Sequence, residues 1–201
     1  MPLHPALVHL PIALVLFAPL FAAYIVREIA RYRRTALQDS QDSPNVTDPA
    51  RPANTAPPIS SNAKVANDYA RRRWRHVVVW AFVQTVLIYA TMMTGENDAD
   101  RVKAAVLGSP AAATTVAAID AHENAASLLL LISGATLLAA LIAWKPAPTA
   151  RPWRLITIGV QLAALAVCLY TARLGGELVY KHGAAGAHGA PVIAPPAAPK
   201  P

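Results

Sequence analysis

The residues best suited to chemistry in this 201-residue chain are its six histidines. They are His4, His9, His76, His122, His182 and His188. A neutral imidazole can bind a haem iron or a Zn, Cu or Fe ion, and it can exchange a proton near neutral pH. His4 and His9 are five residues apart and would point about 140° apart on a helix. They therefore do not form the i, i+4 pair of a His-Glu-x-x-His zinc site, and we expect one of them to face a site while the other faces a neighbouring helix or water.

Several other residues have types that could complete a cofactor site. The carboxylate of Glu96 could join imidazoles around a metal ion, and Arg173 could hold a haem propionate by a bidentate contact. Gly175 and Gly176 would allow the backbone to approach a flat macrocycle closely.

The sequence lacks the residues needed for disulfide formation, covalent haem attachment, hydrolysis by a serine nucleophile or a phosphate-binding loop. Cys168 is the single cysteine, which excludes an internal disulfide and haem attachment through Cys-x-x-Cys-His. Ser127 and Ser133 lie in an apolar run without the Gly-x-Ser-x-Gly context of a hydrolase nucleophile. A phosphate-binding loop is missing as well, because Gly175-Gly176 is not followed by Lys-Ser or Lys-Thr. The sequence therefore names no catalytic residue.

Four long apolar runs must position these candidates. Hydrophobic residues make up 55% of the chain and charged residues only 14%, against about 25% charged in ordinary soluble domains. The runs without charge are residues 7–26, 77–94, 125–144 and 155–172. Because about 20 helical residues cross the roughly 30 Å hydrocarbon core, each run predicts a membrane-spanning helix. The predicted fold is an all-α integral membrane four-helix bundle occupying residues 1–182.

The basic residues predict how this bundle is oriented. Ten lie in residues 27–76 and three in 145–154, whereas two lie in 95–124 and three in 173–201. The positive-inside rule places the first two segments in the cytoplasm and both termini on the periplasmic side. The formal net charge of +7 is then a topology signal and an attraction to anionic lipid, and it gives no reason to expect nucleic-acid binding.

This topology brings the candidate residues to one side of the membrane. His76 falls on the cytoplasmic side beside Arg75, and His188 falls in the terminal tail. Counted from the cytoplasmic flanks at 1.5 Å per residue, His4 and His122 both reach about 35 Å. A deeper layer, at about 27 to 30 Å, contains His9, Glu96 and Arg173. The cofactor-binding candidates are His4, His9, His122, His182 and Arg173, and the metal-ligand candidates are His4, His9, Glu96 and His122.

Two segments have the composition of disordered chain. Residues 35–63 are rich in Pro, Ser, Asn and Asp and predict a disordered cytoplasmic linker between the first two helices. Residues 183–201 contain little besides Gly, Ala and Pro and predict a disordered periplasmic tail. Within the fourth run, Gly159 and Ala163 form a small-xxx-small pair, which favours tight packing against another helix, including one of a second copy.

Two terminal motifs resemble those of a known family. The opening His4-Pro5-Ala6-Leu7-Val8-His9-Leu10-Pro11 and the closing Gly175-Gly176-Glu177-Leu178-Val179-Tyr180-Lys181-His182-Gly183 are similar to the ends of the bacterial membrane family called domain of unknown function 2231. Thr94-Gly95 and His122 with Asn124 fit its middle landmarks. The resemblance covers residues 4–186 except the linker. It implies a four-helix protein of the bacterial inner membrane, and the occurrence of relatives beside cytochrome c modules hints at electron transfer.

Three functional hypotheses follow from these observations. The leading one is a redox or electron-transfer subunit whose periplasmic histidine cluster holds haem b, or a Zn, Cu or Fe ion, with a periplasmic cytochrome or another redox protein as partner. The first alternative is a non-catalytic membrane subunit or scaffold that binds no cofactor and has structural histidines. The second is a small transporter or proton relay, which is disfavoured because the apolar runs contain no charged residue.

Overall fold

The computed structural model describes residues 9–42, 59–107, 110–145 and 150–183. Within these ranges the chain forms four helices and no strand: α1 (His9–Asp42), α2 (Ile59–Val106), α3 (Ala112–Ala143) and α4 (Ala150–Tyr180). Each contains a stretch that is long and apolar enough to cross a membrane. The predicted all-α architecture with four apolar helices is therefore confirmed. His4, His188 and the tail beyond residue 183 lie outside the described residues.

The helices are longer than the apolar runs that predicted them. The second run covers residues 77–94, whereas α2 extends from Ile59 to Val106. The extensions are polar but contain Ala, Arg and Lys, which are good helix formers. The two ends of the predicted linker 35–63 are likewise helical, because α1 continues to Asp42 and α2 begins at Ile59. Residues 43–58 of that linker lie outside the described part of the chain.

The four helices pack as an antiparallel ring. α1 contacts α2, α2 contacts α3, α3 contacts α4, and α4 closes the ring against α1. Across one diagonal, the guanidinium of Arg154 on α4 lies over the Trp74 ring on α2, 5.3 Å from its centroid. Antiparallel order is visible at individual contacts between α1 and α2. The Tyr69 hydroxyl donates to Glu28 Oε1 at 2.7 Å, and the Trp80 indole donates to the Leu14 carbonyl at 3.2 Å. Residue numbers rise along α1 as they fall along α2.

The buried side chains form three layers along the bundle axis. We call the end that carries Arg33, Arg71 and Lys145 the basic end, and the end that carries His122 and His182 the histidine end. The layer at the basic end contains Ala22, Ile25, Ile29, Ala70, Trp74, Val77 and Ala143. The middle layer contains Val15, Ile88, Leu129, Ala164 and Cys168. The layer at the histidine end contains Val102, Ile119 and Leu178.

The outer surface of the bundle is apolar between its two ends. Leu131 is 70% exposed and Leu138 is 60% exposed, as expected for side chains that face lipid. Gly159 and Ala163 are also exposed on α4, and nothing lies within 4 Å of a Cβ built on Gly159. The small-residue pair therefore makes no close helix contact within the described bundle.

Candidate functional site

His122 is the candidate ligand whose geometry the structure defines best. It lies on α3, partly buried, and its Nδ1 is 3.1 Å from the carbonyl oxygen of Thr171 on α4. A carbonyl oxygen only accepts, so Nδ1 carries the hydrogen and donates it. In a neutral imidazole this leaves the lone pair on Nε2. The hydrogen bond thus fixes both the tautomer and the orientation of the ring.

Gly175 explains how the imidazole of His122 can lie so close to α4. A Cβ built on Gly175 would be 3.2 Å from Cε1 of His122 and 3.6 Å from its Nδ1. Nothing lies within 4 Å of a Cβ on the adjacent Gly176. The group that lies against Gly175 is therefore the His122 ring, whereas the sequence analysis assigned the space beside both glycines to a flat macrocycle.

His182 makes a second contact across the same helix interface. Its Nδ1 is 3.4 Å from the hydroxyl oxygen of Thr115, a buried residue on α3. The backbone amide of His182 donates to the carbonyl of Glu177 at 3.3 Å, which holds it just beyond the end of α4. Thr115 and His122 are two turns apart on α3, about 10 Å along the axis. The two histidines therefore contact the α3–α4 interface at different depths.

Arg173 lies on α4 near these histidines but faces outward. Its side chain is 75% exposed, and its Nε is 3.3 Å from Oε1 of Glu177, one helical turn further on. Lys181 contacts the same carboxylate oxygen at 3.3 Å. The hydrogen bond from Lys181, and after it the one from Arg173, hold the pKa of Glu177 below its ordinary value. Glu177 lies beyond the apolar span 155–172. The i, i+4 spacing could have revealed both pairs from the sequence.

Lys103 is a structural residue of this end that the sequence analysis missed. It lies on the polar extension of α2, and its Nζ is 3.0 Å from both Asp120 Oδ1 and Glu123 Oε2 on α3. Hydrogen bonds to Asp120 and then Glu123 raise the pKa of Lys103, which lies outside the apolar span 77–94. The two carboxylates that flank His122 in sequence are thus engaged by this lysine.

The proposed metal ligands are only partly described. His9 is the first residue of α1 and is exposed, and Glu96 is exposed on α2. His4 lies outside the described residues. Among the residues that the structure does describe, no group of three or more His, Cys, Asp or Glu side chains is placed to hold a metal ion.

A polar layer in the middle of the bundle was also missed. Gln84 and Gln161 are each 1% exposed, as is Ser133, and they lie near the midpoints of the apolar runs of α2, α4 and α3. Both amide atoms of Gln161, Oε1 of Gln84 and Oγ of Ser133 have no hydrogen-bond partner among the described residues. The three side chains carry no charge, so the lack of charged residues in the apolar runs does not reveal this layer.

Comparison with known proteins identifies one family. A family model described as "Predicted membrane protein (DUF2231)" matches residues 1–187, which is most of the chain and includes both terminal motifs. Comparisons with curated proteins and with solved structures find no match.

Proposed function

The chain belongs to the DUF2231 family of predicted membrane proteins, and on that premise we propose that it is a redox subunit of the bacterial inner membrane. In this proposal it holds haem b or a metal ion at the histidine end, which faces the periplasm. Its electron-transfer partner is a periplasmic cytochrome or another redox protein. The proposal is supported above all by the hydrogen bond from His122 to Thr171.

That hydrogen bond is the arrangement usual for a histidine ligand. A metal-binding imidazole commonly donates its second ring nitrogen to a backbone carbonyl or a carboxylate, which fixes the tautomer and raises the basicity of the ligating nitrogen. Nδ1 of His122 donates to the Thr171 carbonyl, so a metal held by this imidazole would bind Nε2. The ring is held between two helices, as in cofactor sites of helical bundles.

We expect the other residues of a haem or metal site to come from neighbouring elements. His9 at the start of α1, or His4, would supply the second imidazole, and His182 is a further candidate. Arg173 is exposed and would exchange Glu177 for a haem propionate. For a metal ion, Glu96 is the candidate carboxylate ligand. A haem, Cu or Fe centre would supply one-electron transfer, and the protein would supply ligands, orientation and a membrane-side location.

The periplasmic location rests on the distribution of basic residues. Thirteen of the 18 Lys and Arg residues lie in residues 27–76 and 145–154, the two segments whose described parts include the basic end. The positive-inside rule assigns that end to the cytoplasm. The histidine end would then be accessible to soluble periplasmic proteins.

The exposed Gly159 and Ala163 on α4 would let a second copy approach closely within the membrane.

The direct test is an absorption spectrum and metal analysis of the full chain purified from haem-sufficient bacterial membranes. Bound haem b would give a Soret band with sharp α and β bands on reduction, and a metal site would give a stoichiometric Cu, Fe or Zn content. A preparation that is colourless, metal-free and still folded would overturn the proposal.

A second candidate is a non-catalytic subunit or scaffold whose histidines are structural. It is favoured by the observation that His122 and His182 both bridge α3 and α4, through Thr171 and Thr115 respectively. In that case substitution of His122 would lower the free energy of unfolding without changing any absorption band. The same purified protein therefore distinguishes the two candidates.

A further inference from the structure

A basic groove lies at the opposite end of the molecule from the histidines. It has a volume of about 350 Å³ and runs between α2 and the end of α3. Its lining residues are Asp68, Arg71, Arg72, Arg75 and Trp144. The lining therefore combines three arginines with a single aspartate.

The arginines of the groove form no ion pair with a carboxylate elsewhere in the described structure. Their neighbour Arg73 forms an ion pair with Glu28, toward α1. By contrast, no ion pair within the described residues involves Arg71, Arg72 or Arg75, and all three are exposed. The groove thus keeps a net positive charge that favours an anion.

Trp144 positions one of the arginines of the groove. The guanidinium carbon of Arg71 lies 5.4 Å from the centroid of the Trp144 ring, which positions the arginine over the indole. The indole Nε1 is buried and has no hydrogen-bond partner among the described residues. A buried atom is out of reach of a molecule in the groove, so the indole contributes only the ring over which Arg71 lies.

The position of the groove favours a lipid headgroup over free phosphate as the source of the anion. Arg75 lies just before the apolar run 77–94, and Trp144 ends the run 125–144, so the groove lies at headgroup level. Phe82 is 57% exposed, and it lies on the same helical face as Arg71, about 16 Å further into the bilayer. Leu141, one turn before Trp144, is also exposed. An apolar track therefore continues beneath the charged groove.

We propose that this groove binds the headgroup phosphate of an anionic phospholipid in the leaflet at the basic end. Arg71 and Arg75 contact the phosphate oxygens, and the Trp144 ring holds the Arg71 guanidinium in position. The acyl chains lie along the apolar surface that includes Phe82 and Leu141. Charged and hydrogen-bonding groups at the groove recognise the headgroup, and the apolar track distinguishes a lipid from free phosphate.

The test measures lipid retention by the full chain in detergent, by native mass spectrometry, with added phosphatidylglycerol or phosphatidylethanolamine. We expect one tightly bound phosphatidylglycerol and much weaker binding of the zwitterionic lipid. The double variant Arg71→Gln/Arg75→Gln should bind phosphatidylglycerol at least about tenfold more weakly, because two charge-assisted contacts are lost. Trp144→Leu removes the ring over which Arg71 lies and should weaken binding about threefold, whereas Trp144→Phe keeps a ring and should bind like the wild type.

The matched control is Arg27→Gln/Arg31→Gln, which removes two exposed arginines four residues apart at the same end but on α1. This control should bind phosphatidylglycerol like the wild type. Equal losses in the two double variants would overturn the proposal, because the attraction would then be general. Equal retention of both lipids, or displacement of the lipid by millimolar inorganic phosphate, would also overturn it.

Discussion

The imidazole of His122 donates through Nδ1 to the carbonyl oxygen of Thr171, 3.1 Å away on the neighbouring helix. The His122 side chain is thereby held by a backbone carbonyl of α4. Any residue at position 171 would supply that carbonyl. Gly175, one turn further along α4, leaves the space that the ring occupies. These two features give the histidine end its most sharply defined local geometry, and they can be tested separately.

Gly175→Ala should lower the free energy of unfolding by about 1–2 kcal/mol, as overpacking does. The new Cβ would lie 3.2 Å from Cε1 of His122, and the hydrogen bond to Thr171 prevents the ring from moving away cheaply. Gly176→Ala is the matched control. Nothing lies within 4 Å of its Cβ, so it should be neutral or stabilise the helix by up to about 1 kcal/mol. Unfolding in an SDS titration of detergent-solubilised protein measures both.

A double variant tests whether the ring is the cause of that loss. In a His122→Ala background the neighbour of the new Cβ is gone, and Gly175→Ala should no longer destabilise. If the loss persisted unchanged in this background, the contact between Gly175 and the imidazole would not be the reason for the glycine.

Gln161→Leu should raise the free energy of unfolding by about 1–3 kcal/mol. Both amide atoms of Gln161 are buried without a partner among the described residues, so the similarly sized leucine removes a desolvation penalty. Thr157→Val is the control one turn away, because the Thr157 hydroxyl already donates to the Trp153 carbonyl at 2.8 Å. It should give no such gain. A leucine variant less stable than the wild type would show that the amide has a partner.

Lys103→Met should destabilise the histidine end only modestly, by up to about 1 kcal/mol. The lysine joins the extension of α2 to α3 through Asp120 and Glu123, but all three groups are partly exposed to solvent. The loss should shrink at high salt, since exposed ion pairs are screened. Arg101→Met, which changes an exposed charge on the same extension, should leave stability unchanged. Thermal unfolding at low and high salt provides the comparison.

Reporter fusions test the orientation of the bundle. A reporter placed after Thr55 should behave as cytoplasmic and one placed after Pro201 as periplasmic, because most Lys and Arg residues flank the first position. Activity of a periplasmic reporter at Thr55 would reverse the orientation and place the histidine end in the cytoplasm.

The sequence predicted the four membrane helices but not their full lengths. Apolar runs report the part of a helix that lies in hydrocarbon, so the run 77–94 could not reveal that α2 continues from Ile59 to Val106. The extension matters because it carries Lys103 to Asp120 and Glu123. Those contacts join two helices across the turn between them. The residues are far apart in sequence, so no local spacing predicts the contacts.

The candidate site was predictable in its residue types but not in its contacts. His122, His182 and Gly175 were identified from their types and their shared side of the bundle. The partner of His122 is a backbone carbonyl, a group present at every residue, so only the packing of α3 on α4 could select Thr171. The buried amides of Gln84 and Gln161 were missed because they carry no charge, although burying an unpaired amide is also costly.

The most direct test of the central claim compares the reduced absorption spectra and metal contents of the wild type, His122→Ala and His76→Ala, with circular dichroism confirming that all three are folded. His76 is an exposed histidine near the basic end and serves as the matched control. The proposed redox function predicts a haem or metal signal in the wild type and in His76→Ala, and its loss or conversion in His122→Ala. An unchanged signal in His122→Ala, or folded wild-type protein with no signal at all, would contradict it.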